Sequence, residues 1–532
     1  MKYRAIALGL GLAVSNLADP LAHAQDRRFT ILHTNDMHGR HTAFPVAPGD
    51  ATAQTGDPGR APAEFSRAGD IGGFAHLAGA IRDARARAGA DRVLLVDGGD
   101  TFSDDLVGNA TRGEAMIRLM NAVGYQFMAL GNHDFDYGLE RTRELQALAD
   151  FPMRGANTLL EGGPLFGRPW EVFEVGGVRV AILALSYHNT GETGSKGNTR
   201  ALTFTNGIET TRALLPQLQA AADVIVVLSH QGTAVDREMA RQLPQLDLIV
   251  GAHSHDRIAP PEQVAGVWIA QALSDDAALG ELTIDVDADG SVTHIDGRLI
   301  DLWTDEIAPD PAIAALVAEI DAPHRARLDE VLAVAYDRIG RQYKSESPFD
   351  VLVGDLMREH TGADIAFMPG VGYGVSITPG PVTRERLYTL LPHPTKLVTL
   401  DMTGAQVLEV LEQSATNLEP GDVFDRVGGL IQTSGLSWTF DLNAPVGSRV
   451  SQVTVGGAVL EPSTAYAIAT NVGLFEGLHR YQAFASGQNA VTHDISVTQL
   501  VEDGIRHRGI LTAPVAGHIR RVAPIASAVV EP

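Results

Sequence analysis

Between residues 28 and 300, six short apolar runs rich in β-branched side chains alternate with polar turns and helical stretches. They are Phe29–Leu32, Val93–Val96, Phe127–Leu130, Val178–Leu185, Val224–Leu228 and Leu248–Val250. Continuous apolar runs bounded by Gly and Asp predict strands buried on both faces, hence a layered α/β unit. Residues 41–70 are rich in Gly, Pro and Ala without periodicity and read as a long surface loop, of a kind that is often functional. Pro309 and Pro311 open a helical pattern over Ala312–Leu332, interrupted near Pro323, which reads as a connector. A second α/β unit is expected beyond it, with helical pieces at Val351–His360 and Ala405–Gln413 and alternating strands near 436–470. The expected organisation is a leader over 1–24, a first domain over 25–307, a connector over 308–332, a second domain over 333–523 and a tail over 524–532.

The leader is read from Lys2 and Arg4, the apolar run Ala5–Val14 and the small-residue site Ala22-His23-Ala24. That run is too short to span a bilayer, which takes about 20 apolar residues. Export with cleavage after Ala24 is expected, to a periplasmic or secreted location. No later stretch is apolar enough to span a membrane.

Composition narrows the chemistry. The 532 residues hold 41 Lys+Arg against 65 Asp+Glu, a net charge of −24, and no cysteine. Binding to a nucleic-acid polymer is not expected, because it depends on cations that neutralise phosphates. Disulfides, thiolate catalysis and iron–sulfur clusters are excluded. An anionic small substrate is not, since a bound cation reverses the local field. No obligate protein partner is predicted.

Five of the six runs end in the same kind of residue, a carboxylate, an amide or an imidazole. The strings are Asn35-Asp36-Met37-His38, Asp97-Gly98-Gly99-Asp100, Gly131-Asn132-His133-Asp134-Phe135-Asp136, Ser229-His230 and Gly251-Ala252-His253-Ser254-His255. Groups at the carboxyl ends of strands in an open α/β domain converge on one crevice. Taken alone, each string also has an ordinary reading: a turn, a buried histidine, or a helix cap at Asp136. Together they place Asp36, His38, Asp100, Asn132, His230, His253 and His255 in one cleft. Imidazole with carboxylate suits Zn, Mn, Fe or Co. Seven ligands exceed what one catalytic ion uses, so two divalent ions are expected.

These strings resemble the calcineurin-like binuclear metallophosphoesterases. Gly362-Ala363-Asp364-Ile365, Leu400-Asp401-Met402-Thr403-Gly404 and Ser434-Gly435-Leu436 resemble the 5′-nucleotidase C-terminal domain. The resemblance implies a layered β-sandwich metallophosphoesterase domain flanked by helices, a connector helix and an α/β substrate domain. It implies that Asp36, His38, Asp100 and His255 hold one ion, and that Asp100, Asn132, His230 and His253 hold the other, with Asp100 bridging. Many exported nucleotidases have Gln where His255 stands. Two ions about 3.5–4 Å apart would activate water for in-line attack on phosphorus. The resemblance makes His133 a catalytic histidine, supported by Asp136, and the substrate a phosphate ester such as a nucleoside monophosphate.

The second domain departs from the family at its substrate segments. Pro369-Gly370-Val371-Gly372-Tyr373-Gly374-Val375-Ser376 lacks the usual arginine, and Pro392-His393-Pro394-Thr395 stands where Pro-Phe-Gly-Asn is common. Asn471-Val472-Gly473-Leu474-Phe475 leads to His479-Arg480-Tyr481 in place of the Gly-Gly-Asp-Gly-aromatic loop. Phe475, Tyr481, Tyr373 and Trp438 are candidate stacking residues, with an ordinary place in the core as the other reading of each, and Arg426 or Arg480 is a candidate replacement for the guanidinium. Asn417–Gly429 and Gly429–Asp441 also resemble the dimanganese thiosulfohydrolases, a branch that lacks the Asn132-His133 pair. The alternatives are therefore hydrolysis of a carrier-bound sulfur anion, of non-nucleotide esters, or binding without catalysis.

Overall fold

The computed structural model describes residues 27–48, 65–103, 105–342, 345–371 and 376–522. The expected leader, Tyr373 and the tail lie outside the described residues.

Two six-stranded sheets face each other in the first half. One runs in the order Val292–Asp301, Ala278–Val286, Arg27–Thr34, Val93–Asp97, Phe127–Ala129 and Met153–Arg154. The other runs Arg257–Val264, Val267–Ala272, Leu248–Gly251, Val224–Ser229, Val178–Leu185 and Trp170–Val175. The central strands pair in parallel and the outer hairpins antiparallel. Phe29, Ile31, Val96, Phe127, Val180 and Val226 fill the space between the sheets. Helices Phe74–Ala88 and Glu114–Val123 cover one outer face, and Gly207–Ala221 and Thr233–Gln242 the other. Burial on both faces explains the unbroken apolar runs: a strand between two apolar layers has no solvent side to mark with polar residues.

The second half is built on a five-stranded sheet, ordered Gln432–Ser434, Ile365–Met368, Ala465–Asn471, Lys396–Thr403 and Gln488–Ser496, packed with helices Pro348–Thr361 and Gly404–Leu418, beside a smaller four-stranded sheet that holds Leu436–Phe440. Ser347 caps the first helix, with Pro348 at its first turn. Thr403 and Gln406 form a reciprocal capping box on the second.

Two expectations change at the junction. The connector helix ends at Asp321, followed by the short turn Arg325–Leu328, and Leu332 already lies in strand Val331–Ala335. That strand pairs with Gly380–Thr383 on one side and Ile510–Leu511 on the other, so its valines serve the centre of a three-stranded sheet. The 41–70 segment is not all loop, because Phe44–Val46 pairs antiparallel with Gly69–Ile71; residues 49–64 lie outside the described residues. Phe44, Val46, Ile71 and Trp303 share one apolar cluster with Phe349, Leu352, Val382 and Leu387 of the second half. Each such side chain, moved from water, contributes about 1.5–3 kcal/mol. The pairing thus plugs one half into the other.

A buried ion cluster lies at the same junction. His41 Nε2 is 2.7 Å from Asp321 Oδ1 of the connector helix, and its Nδ1 is 3.2 Å from Asp105 Oδ2. Burial alone would lower the His41 pKa, but the bonds to Asp105 and Asp321 outweigh it and hold it well above the usual histidine value. The folded chain therefore binds this proton more tightly than the unfolded chain. The stabilisation is complete below the unfolded value of about 6.5 and is lost as pH rises through the folded one. His41→Gln is expected to lower the thermal midpoint most near pH 6 and progressively less towards about pH 9. A gap between variant and wild type that does not narrow with pH would show that the charge is not what stabilises the junction.

Candidate metal centre and active site

The loops that leave the parallel strands are bound to one another before any side chain acts. Asp36 N donates to Gly99 O at 2.8 Å, and His38 N donates to Asp100 O at 2.9 Å. Asp36, His38, Asp100, His253 and His255 all have positive φ, between 52° and 72°. Such a backbone costs an L-residue roughly 1–2 kcal/mol, and strained positions of this kind cluster at functional sites. Two glycines make the approach feasible. A Cβ on Gly99 (φ 94°) would meet Gly131 N at 2.5 Å, and one on Gly131 would meet Asp100 Oδ1 at 2.1 Å.

These turns gather six of the seven side chains into two groups, and Asn132 lines the same cavity. Asp36, His38 and His255 converge as one group with ligand atoms within 4.8 Å, and Asp100, His230 and His253 as another. In the first, His38 Nε2 and His255 Nε2 are 3.1 Å apart and His255 Nε2 is 3.4 Å from Asp36 Oδ1. In the second, His230 Nε2 is 3.0 Å from Asp100 Oδ2. The groups adjoin, since His230 Nε2 is also 3.8 Å from Asp36 Oδ1. His230 Nδ1 faces Gly98 O at 2.7 Å, which leaves Nε2 turned to the carboxylates. Asn35 Nδ2 donates to Asp36 Oδ2 at 2.7 Å, and His253 N to the same oxygen at 2.9 Å.

The electrostatics are those of a cation site. Burial disfavours charge on His230, yet Asp100 and Asp36 raise its pKa to about 10. Burial also disfavours charge on Asp100, but the His230 and His133 rings hold its carboxyl well below the usual range. Burial and the neighbouring His230 push His253 well below an ordinary histidine. Asn132 Oδ1 is buried without a hydrogen-bond partner. An orphaned amide oxygen, two imidazole nitrogens in close approach and two fully buried carboxylates fit divalent ions with mixed N and O ligands.

His133 stands beside these groups and is tied elsewhere. Its Nδ1 is 2.8 Å from Asp136 Oδ2, which also accepts from Ser103 Oγ at 3.1 Å. Its backbone N donates to Asp100 Oδ1 at 2.7 Å. A cavity of about 700 Å³ opens over the pair, walled by both halves of the chain, including Asn109, Tyr137, Asn198, Met368, His393 and Asn471.

Of the candidate substrate-binding side chains, Phe475, Tyr481, Trp438, Arg426 and Arg480 are not among the residues that line this cavity. Tyr481 and Trp438 are each 1% exposed within the core of the second half, and Phe475 packs against that core. Stacking by Tyr481 or Trp438 is excluded by burial. Arg426 pairs with Glu419 at 3.3 Å and lines a small side pocket behind His253, while Arg480 pairs with Asp425 at 2.9 Å. Sequence reasoning missed other residues. Asp134, quoted in the third string without a role, accepts from Asp100 N, Thr101 N and Gly131 N and fixes that loop. Tyr187 stacks on His253 with ring centroids 3.8 Å apart. His393 was visible only as a departure from Pro-Phe-Gly-Asn.

Residues 29–257 match the family model of the calcineurin-like phosphoesterases, and residues 327–486 that of the 5′-nucleotidase C-terminal domain. The chain is 27% identical over 529 residues to protein UshA of Yersinia enterocolitica, covering 88% of this chain and 90% of that one. It is 26% identical to the trifunctional nucleotide phosphoesterase protein YfkN of Bacillus subtilis over 84% of this chain, which spans only 34% of that relative. Among solved structures, the 5′-nucleotidase precursor of Thermus thermophilus superposes with a TM-score of 0.81 at 27% identity, covering 93% of this chain and 99% of that one. The sulfate thiohydrolase SoxB of the same organism superposes with a TM-score of 0.84 at 25% identity, covering 93% and 96%.

Proposed function

This chain belongs to the calcineurin-like metallophosphoesterases that carry a 5′-nucleotidase C-terminal domain, and from that membership we propose that it is an exported hydrolase of nucleoside 5′-monophosphates or related nucleotide esters. The observation that carries the proposal is the His133–Asp136 pair, set between two ligand clusters and a cavity large enough for a nucleoside.

Asp36, His38 and His255 would hold one divalent ion, and Asn132, His230 and His253 the other, with Asp100 shared; Mn, Zn, Fe and Co all suit this donor set. Bound there, the ions would supply Lewis-acid polarisation of the phosphoryl oxygens and activation of water. The chain's own residues do the rest. Asp136 accepts from His133 Nδ1 and so leaves Nε2 to meet the leaving-group oxygen. As the ester P–O bond breaks, one proton passes from His133 Nε2 to that oxygen, and the water consumed restores it. Ser103 holds the second bond of Asp136 and keeps the carboxylate in line. Export and removal of residues 1–24 are part of the proposal, supported by the charged, apolar and small-residue order of the leader.

Phosphate release from AMP, UMP, a cyclic nucleotide, a nucleotide sugar and p-nitrophenyl phosphate, with Mn²⁺ or chelator, tests the reading. Mn²⁺-dependent turnover of AMP and UMP above that of p-nitrophenyl phosphate is expected. Turnover of the aryl ester alone would leave the chemistry and remove the nucleotide. No turnover of any ester would favour the sulfur-anion chemistry named for the SoxB relative.

A further inference from the structure

We infer that His393, from the second half of the chain, is a positioning residue for leaving-group protonation, acting through His133; the inference rests on the phosphoesterase reading above. The His133–Asp136 bond fixes one ring nitrogen. Two further contacts fix its plane. The His38 ring meets it edge-on, with centroids 5.4 Å apart and planes at 72°. The His393 ring lies parallel to it, with centroids 5.5 Å apart and planes 5° apart. His133, Asp136 and His393 also bring one nitrogen or oxygen each within 4.8 Å of one another.

His393 is held to do this. Pro392 and Pro394 flank it and restrict the backbone on both sides. Its carbonyl accepts from Thr395 N at 2.8 Å and from Thr498 Oγ1 at 3.1 Å. Asn109 of the first half donates to Pro392 O at 3.2 Å, so the loop is pinned across the junction. The ring therefore arrives at His133 from a fixed base. The proton donor is completed by a residue that the metallophosphoesterase half does not contain.

A positioning role has a signature that a loss of folding lacks. Protonation matters most when the departing oxygen is a strong base, as the ribose alkoxide of AMP is, and least for p-nitrophenolate. His393→Ala is expected to lower kcat on AMP by about 10- to 100-fold, the scale of a misplaced catalytic group, and to lower kcat on p-nitrophenyl phosphate several-fold less. His393→Phe keeps a flat ring and should return kcat on AMP to near the wild-type value. In proton NMR at fixed pH, the His133 ring signal, assigned by its absence in His133→Ala, should move in His393→Ala and stay near its place in His393→Phe. Equal losses on the two substrates, or a Phe variant as impaired as the Ala variant, would overturn the inference while leaving the phosphoesterase reading intact. An unmoved His133 signal in His393→Ala would overturn it without reference to turnover. A wild-type protein inactive on both esters would instead remove the reading on which it rests.

Discussion

His133→Ala is expected to lower kcat on AMP by about 10²–10⁴-fold, the range that a positioned proton donor contributes, with bound metal unchanged. The separation of roles is what makes the expectation sharp. The His133 side chain is directed to Asp136, not into either ligand cluster. Its backbone N–H donates to Asp100 Oδ1, a bond that alanine retains. Turnover should therefore fall while metal content, measured by elemental analysis of the purified protein, stays at the wild-type ratio. The loss on p-nitrophenyl phosphate should be smaller, since p-nitrophenolate leaves without help. Asp136→Asn should fall between wild type and His133→Ala: the amide still bonds the ring but no longer stabilises its positive charge. A His133→Ala protein that hydrolyses AMP at the wild-type rate would dismiss the proton-donor role.

Much of this site is legible in the sequence because metal chemistry leaves little choice of residue. Each carboxylate- or imidazole-bearing strand end alone has an ordinary structural reading, but five such strings in succession leave few. The six strands are legible for a related reason, since burial on both faces demands unbroken apolar runs. The strand Val178–Leu185 falls where the pattern places it. The outer strands Trp170–Val175 and Val292–Asp301 are half-exposed and mix charged with apolar residues, so no continuous run marks them.

Aromatic residues defeated the reading for a different reason. A ring that stacks on a base and a ring that fills a core have the same apolar character, so Tyr481 and Trp438 could not be told from cavity residues until their burial was known. Phe44 and Ile71 sit in a stretch whose Gly and Pro content signals loop, yet they pack into the second half of the chain. Contacts between segments far apart in sequence have no local signal. His393 belongs with them: its stacking on His133 spans 260 positions and shows in the sequence only as an unexpected imidazole between two prolines.

Removal of the divalent ions is expected to abolish turnover reversibly and to lower the thermal midpoint of the protein by several degrees. Both follow from what the cluster contains. Asp36, Asp100 and His230 are at most 2% exposed, and burying like-charged carboxylates without a cation is costly. Five of the seven ligands also hold positive φ, at roughly 1–2 kcal/mol each. Ions that bind the folded chain and not the unfolded one offset these costs by mass action, by about 4 kcal/mol per site at a thousandfold excess over Kd. Chelation should therefore appear in calorimetry as well as in the assay, and added Mn²⁺ should restore both. Asp100→Ala should lose turnover and most of the chelator-dependent shift, because the proposed shared ligand is gone. Asp136→Asn, outside both clusters, should retain that shift. A chelator-dependent shift of the same size in Asp100→Ala as in wild type would mean that the ions bind elsewhere, and the two clusters would then have to be explained without metal.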